Sequence, residues 1–265
     1  IPKKVNFLEH GTRVTNQLEQ NQNTNHSIGT RARKVDGAAK ALGKTLYADD
    51  ISLPNMLHCK IKRSTRPHAK IIKIDTQPAE KMDGVYAVMT GQDLPIKYGI
   101  IPWTKDETVL AIERVRYVGE GIAAVAAIDE ETAIRAIRAI QVTYEDLEPI
   151  LSCEAAKTSG ETPDTKVNDN AKRGNITKHV DLSFGDVSQA LEQSDIIVED
   201  DFFFVGTTHA AIVPHCAIGD VDPRGNLTLI SATQVPHYLH RDLASVLELP
   251  ANRIRVIQPA VGGAF

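Results

Sequence analysis

Two features near the C-terminus have residue types that chemistry can use. Gln234, in the stretch Thr233-Gln234-Val235-Pro236, offers a carboxamide that donates and accepts hydrogen bonds without titrating. Gly262-Gly263-Ala264-Phe265 follows an apolar strand pattern, and paired glycines there let backbone N–H groups approach a ligand with no side chain in the way. Each feature has an ordinary reading as well. Two glycines after a strand serve more often as a tight turn, and a glutamine at a strand end is usually solvated. The histidines offer less. His209 and His215 read as hydrogen-bonded strand residues rather than metal ligands. His237 and His240 share a helix face at i,i+3 but lack a third ligand, so they read as a polar rim, with His237 alternatively touching a substrate beside Gln234. No Ser/His/Asp spacing suggests a triad, and no residue is assigned to a metal.

The elements that must position these groups follow from periodicity. Leu239, Leu243, Val246 and Leu247 recur at helical spacing, so a short amphipathic helix starts near Pro236 and closes at Pro250. Ile254, Val256 and Ile257 predict a buried strand that Pro259 ends, just before the glycines. Upstream, the sequence predicts a strand, a helix capped by Asp186, and a strand through Ile197 and Phe203. Two more strands, at 215–221 and 227–233, are joined by an Asp-Pro-Arg-Gly-Asn turn.

The first half repeats this logic. Leu57, Cys59 and Ile61 alternate with His58, Lys60 and Lys62, Ile71 to Ile74 makes a second strand, and Val85 to Met89 a third. Ile122 to Ile128 is a continuous apolar run, Asp129 caps a helix, and the chain returns as a strand at Val142 to Tyr144. The pattern predicts helices on one side of a small mixed sheet. Lys60, Lys62, Arg63 and Arg66 read as a solvated strand face rather than an anion site. The connection from Gly91 to Leu110, with the single Trp103, is long enough to be functional or a plain loop anchor.

Composition excludes several classes. In 265 residues, 42% hydrophobic content supports packed cores, and a net charge of −4 argues against a nucleic-acid partner. No apolar run reaches the length of a membrane span, and the N-terminus has no secretory pattern, although the absence of an initiating Met suggests a trimmed or partial chain. Cys59, Cys153 and Cys216 are scattered, which fits a reducing, cytoplasmic setting and offers no iron–sulfur or zinc motif. Gly119-Glu120-Gly121 lacks the third glycine of a dinucleotide fingerprint.

The order of motifs carries a resemblance. The string T-Q-V-P, helix, A-N-R-I-R-V-I-Q-P, G-G-A-F resembles the molybdenum-binding subunit of the xanthine dehydrogenase and aldehyde oxidase family. So do the opening V-D-G-A-A-K-A-L-G-K-T-L-Y-A-D-D-I, the segment from Glu113 to Ile150, and the F-G-D-V entry at Phe184. Within the family, T-Q-V-P-H-Y-L-H is similar to the large subunit of 4-hydroxybenzoyl-CoA reductase. The resemblance implies an α+β fold in four parts. These are a polar extension at 1–28, a small mixed-sheet, a/b hammerhead-like domain at 29–150, a linker at 151–171, and the start of a molybdenum-cofactor domain at 172–265. It implies molybdenum with molybdopterin, in the cytosine dinucleotide form. Gln234 would donate to an oxygen on the metal, and Gly262, Gly263, Ala264 and Phe265 would line the cofactor. Iron–sulfur clusters (2Fe-2S) and FAD would sit on partner domains or subunits. The implied reaction is hydroxylation of an aromatic or heteroaromatic substrate with water, or reductive dehydroxylation of an aromatic acyl-CoA. Departures matter. Ala264 replaces a glycine, Val213 stands where the family places a glutamate, and the family's general-base glutamate lies beyond Phe265. The expected partners therefore include the remainder of the molybdenum subunit. The alternative is a non-catalytic assembly subunit that keeps the fold and has lost the chemistry.

Overall fold

The computed structural model describes residues 28–99, 101, 105–159, 175–176 and 178–264. The extension at 1–28, apart from Ile28, and most of the expected linker lie outside the described residues, as does Trp103. By compactness the chain divides into two units, 1–46 and 47–265. In the first, a one-turn helix (α1, Gly37–Ala41) is held by an i,i+4 ion pair of 2.6 Å between Lys40 and Asp36.

The second unit begins with six strands in two sheets. Strands β1 (His58–Arg63), β5 (Gly121–Ala127) and β3 (Val85–Thr90) form one in the order β1-β5-β3. Strands β4 (Arg114–Val115), β2 (Ala69–Asp75) and β6 (Gln141–Asp146) form the other in the order β4-β2-β6. Every pair in both is antiparallel, so where periodicity predicts one small sheet there are two. They share a core. Ile74 and Val142 pack both against the cluster of Ala79, Ala123, Val125, Ala136 and Ile140 and against that of Ala69, Ala111, Val115 and Ile122. The alanines of β5 let the helix α3 (Glu130–Ala139) lie close to the sheet, and Ala133 and Ala136 are fully buried there. Asp129 caps α3 as the sequence predicts: its carboxylate accepts the Thr132 N–H at 2.7 Å, and that bond lowers the carboxyl pKa. A short helix, α2 (Gln77–Glu80), joins β2 to β3.

Three of the four basic residues in and just after β1 are engaged locally. Lys60 pairs with Glu130 at 2.6 Å, Arg66 with Asp146 at 3.5 Å, and Arg63 donates to the Gly119 carbonyl at 2.9 Å. These partners fit the expected solvated strand face and leave no cluster of bare cations there among Lys60, Arg63 and Arg66. His68 is buried, and its Nδ1 lies 2.9 Å from the Glu148 carbonyl.

Beyond the short helices α4 (Cys153–Thr158) and α5 (Val187–Glu192), the latter capped by Asp186 through the Gln189 N–H at 2.9 Å, two expected strands do not form. Residues 178–184 and those through Ile197 and Phe203 carry no regular secondary structure and join no ladder among the described residues. A strand needs a neighbour to bond with, and apolar content alone does not provide one. The third sheet follows. Strands β7 (Ala217–Val221) and β8 (Leu227–Ser231) form an antiparallel hairpin, and β8 pairs in parallel with β9 (Ile254–Ile257) across the helix α6 (Pro236–Val246). Asp222 closes the hairpin turn by accepting the Arg224 and Asn226 N–H groups, both at 2.8 Å.

Candidate cofactor edge of the third sheet

The parallel pairing of β8 and β9 decides where the chemistry-bearing residues lie. Its register sets Leu227 beside Ile254 and Ile230 beside Ile257, so both strands run out at the same end of the sheet. From the end of β8 the chain passes through Thr233 to Gln234, and from the end of β9 through Pro259 to Gly262 and Gly263. The hairpin adds a third segment. Ala217 pairs with Ser231, so β7 begins where β8 ends, and 213–216 approaches along the same edge. The Ala232 N–H donates to the Cys216 carbonyl at 3.4 Å, tying two of these segments together. In sheets with parallel strands joined by a helix, ligands sit outside the carboxyl ends of those strands.

The local geometry is specific. Thr233 folds the exit of β8 with its own hydroxyl, which accepts the Val235 N–H at 3.1 Å and leads into α6 with Pro236 in its first turn. The Gln234 carboxamide is exposed. Gly262 is packed against Val213: a Cβ on Gly262 would stand 2.8 Å from the Val213 Cβ and 3.2 Å from its Cγ1. The valine at the position expected to carry a glutamate is therefore at the glycine loop itself. Gly263 and Ala264 follow, the latter exposed, and Phe265 lies outside the described residues. Cys216, half-buried at this edge, has its thiol pKa raised by burial first and then by the Asp49 charge, so it is a poor nucleophile.

The histidines separate by role. His240 is structural: its Nε2 lies 3.0 Å from the Ala251 carbonyl and 3.1 Å from that of Ile254, so it pins α6 to the start of β9. Face spacing alone could not reveal this, because both partners are main-chain atoms on a later segment. His237 and His215 are exposed. Among the described residues no three His, Cys, Asp or Glu side chains gather to hold a metal.

An open hollow of about 350 Å³ lies beside the first two sheets, lined by Arg63, Tyr98, Glu107, Arg116, Tyr117 and Glu120 among others. Arg116 is paired with Glu120 there at 3.4 Å. Glu107 is exposed overall, but partial desolvation raises its carboxyl, with the Asp106 and Asp242 charges adding to the shift.

Two family descriptions match successive parts of the chain. Residues 42–148 match the a/b hammerhead domain of aldehyde oxidase and xanthine dehydrogenase, and residues 167–265 match the molybdopterin cofactor-binding domain. The chain carries domains of the xanthine dehydrogenase and aldehyde oxidase family. Similar family members include the nicotinate dehydrogenase large molybdopterin subunit of Eubacterium barkeri, 38% identical over 90% of this chain and 55% of that protein. A probable xanthine dehydrogenase subunit of Bacillus subtilis is 35% identical over 88% of this chain and 30% of its own length. The chain thus spans about half or less of the length of these relatives. In solved structures the fold matches quinoline 2-oxidoreductase from Pseudomonas putida 86, with a TM-score of 0.79, 28% identity, and coverage of 91% of this chain and 31% of that one. No helix among the described residues is long and apolar enough to cross a membrane.

Gln234 and the Gly262–Gly263 segment offer a neutral hydrogen-bonding side chain and main-chain approach without a side chain, the kinds of group that a metal carried on its own organic ligand would need.

Proposed function

We propose that this chain forms part of the molybdenum-binding subunit of a molybdenum hydroxylase-type oxidoreductase that hydroxylates a heteroaromatic substrate with water. The observation that carries the reading is the parallel register of β8 and β9, which delivers Gln234 and the glycine loop to one end of one sheet. When bound, the molybdopterin-held metal supplies Lewis acidity and an electron sink. The chain's own residues hold and orient. The Gln234 carboxamide would donate its N–H to an oxygen ligand of the bound group without adding charge or changing protonation. The backbone N–H groups of Gly262, Gly263 and Ala264 would present fixed dipoles to oxygen or sulfur ligands of the bound group, and such preorganised donors stabilise charge that builds during turnover. The cytosine dinucleotide form of the cofactor belongs to this reading.

A heteroaromatic substrate is favoured over an aromatic acyl-CoA, as for 4-hydroxybenzoyl-CoA reductase, because relatives named for nicotinate and quinoline stand among the matches. The partners in this reading are the remainder of the molybdenum subunit, an iron–sulfur (2Fe-2S) subunit and an FAD subunit, since electrons must leave and this chain has no motif for a second redox centre. The remainder of the subunit has a surface to meet. Ile196, Ile197 and Val198, then Phe202, Phe203 and Phe204, are exposed on a segment without a ladder partner among the described residues.

One observation favours the second reading, an assembly subunit without chemistry: Val213, rather than a carboxylate, packs on Gly262. The test separates the two. Molybdenum and pterin should co-purify with the assembled complex, and Gln234→Ala should lower kcat roughly a hundredfold, the typical effect of removing one preorganised donor. A complex fully active without molybdenum would leave only the second reading.

A further inference from the structure

The segment that opens the second unit reaches the cofactor edge from far away in sequence. Tyr47 forms a parallel β-bridge with Ala260, two residues before Gly262. Tyr47 is itself held by a three-residue turn, Ala48–Asp50. The Asp50 carboxylate accepts the Tyr47 N–H at 2.9 Å, and the Asp50 N–H donates back to the Tyr47 carbonyl at 3.0 Å. Ala48 is fully buried, so the turn is seated rather than free. It packs against β7, and Asp49 lies near enough to Cys216 to raise that thiol. One short turn thus touches both the approach to β7 and the exit of β9.

We propose that Asp50 is a positioning residue for the glycine loop: by locking Tyr47 it fixes the strip that braces Ala260, and so sets the main-chain course of Gly262 and Gly263 relative to Gln234. This rests on the cofactor reading of that edge. The physical need is plain. Beyond Ile257 the strand has left its ladder with β8, and two consecutive glycines have the widest backbone freedom of any pair. A site that binds through main-chain N–H groups works only if those groups are held within about half an ångström. Val213 restrains Gly262 from one side, and the Tyr47 bridge restrains the chain just upstream.

The structure contains its own control. Asp93 closes the turn Gly91–Asp93 in the same way, accepting the Thr90 N–H at 2.7 Å, but that turn bridges to no part of the cofactor edge. The experiment compares Asp50→Ala, Asp50→Asn and Asp93→Ala in the assembled complex. It measures hydrogen exchange over 258–264 and the molybdenum retained per subunit after gel filtration. Asp50→Ala should speed exchange over 258–264 about fivefold, the size of one capping bond, and lower retained molybdenum. Asp50→Asn, which keeps an acceptor oxygen, should restore both, and Asp93→Ala should move neither. If Asp50→Ala does not accumulate as folded protein, Asp50→Leu, which also lacks an acceptor, takes its place. The inference fails if the Asp50 variants match the wild type, or if Asp93→Ala produces the same changes. A wild-type complex that carries no molybdenum overturns the cofactor reading itself, and the inference with it.

Discussion

Substituting Gly262 by Ala tests the close approach at the heart of the site. The new Cβ would stand 2.8 Å from the Val213 Cβ, whereas unbonded carbons settle at about 3.5 to 4.0 Å. The overlap is therefore roughly 1 Å. A rotamer change cannot relieve it, because the Val213 Cβ is fixed to its own backbone, so one of the two main-chain segments must move. Overpacking of this kind costs about 1–3 kcal/mol. The φ of Gly262 is not in the left-handed region, so the contact is the sole reason for strain. Val213→Gly removes the obstacle at its own cost of about 2 kcal/mol, from lost apolar burial and added backbone freedom. The double variant Gly262→Ala/Val213→Gly should then cost about 2 kcal/mol rather than the summed 4, a coupling of about 2 kcal/mol. Urea unfolding of the four proteins, compared at a common slope, measures the cycle. A Gly262→Ala variant within about 0.5 kcal/mol of wild type, or additive costs in the double variant, would show that the two segments do not meet as described.

Three further outcomes are expected. His240→Ala should cost about 1–2 kcal/mol in urea unfolding, because it frees the Ala251 and Ile254 carbonyls at the junction of α6 and β9. Glu248 sits just past α6 in the left-handed region, with φ +52, so Glu248→Gly should raise stability by about 0.5 kcal/mol, read as a higher urea midpoint. Glu107 gives a pH signature. Its folded pKa is raised, so the protonated carboxyl suits the fold: the contribution is full below the ordinary carboxyl pKa and is lost as pH rises through the folded value. Because Glu107 is largely exposed and solvent screens its carboxyl, the effect is small: Glu107→Gln should match wild type in acid and exceed it only slightly in thermal stability near neutral pH, and a lower melting temperature for the variant at neutral pH would refute the assignment.

What could be read in the sequence was local. Asp129 and Asp186 announce helix starts because a carboxylate before an apolar-periodic run has one good use, and both cap as expected. The order of β8, α6, β9 and the glycines follows from periodicity and from Pro236, Pro250 and Pro259. What escaped was pairing at long range. Nothing in Tyr47 or Ala260 as residue types predicts that they lie side by side. The division of the first domain into two sheets depends on which neighbours β2 and β5 choose, and alternation alone does not fix neighbours. The apolar run through Phe203 has strand composition and no strand, since the main-chain bonds that define one must come from elsewhere.

That run has a practical consequence. An oily ribbon whose faces are both uncovered, interrupted only by Glu199, Asp200 and Asp201, is a template on which a second copy can lay itself down. Purified by itself, this polypeptide should gather into larger species as its concentration rises, and charged replacements at Phe202 or Phe204 should slow that gathering. Producing it together with whatever normally shelters the ribbon is the gentler route.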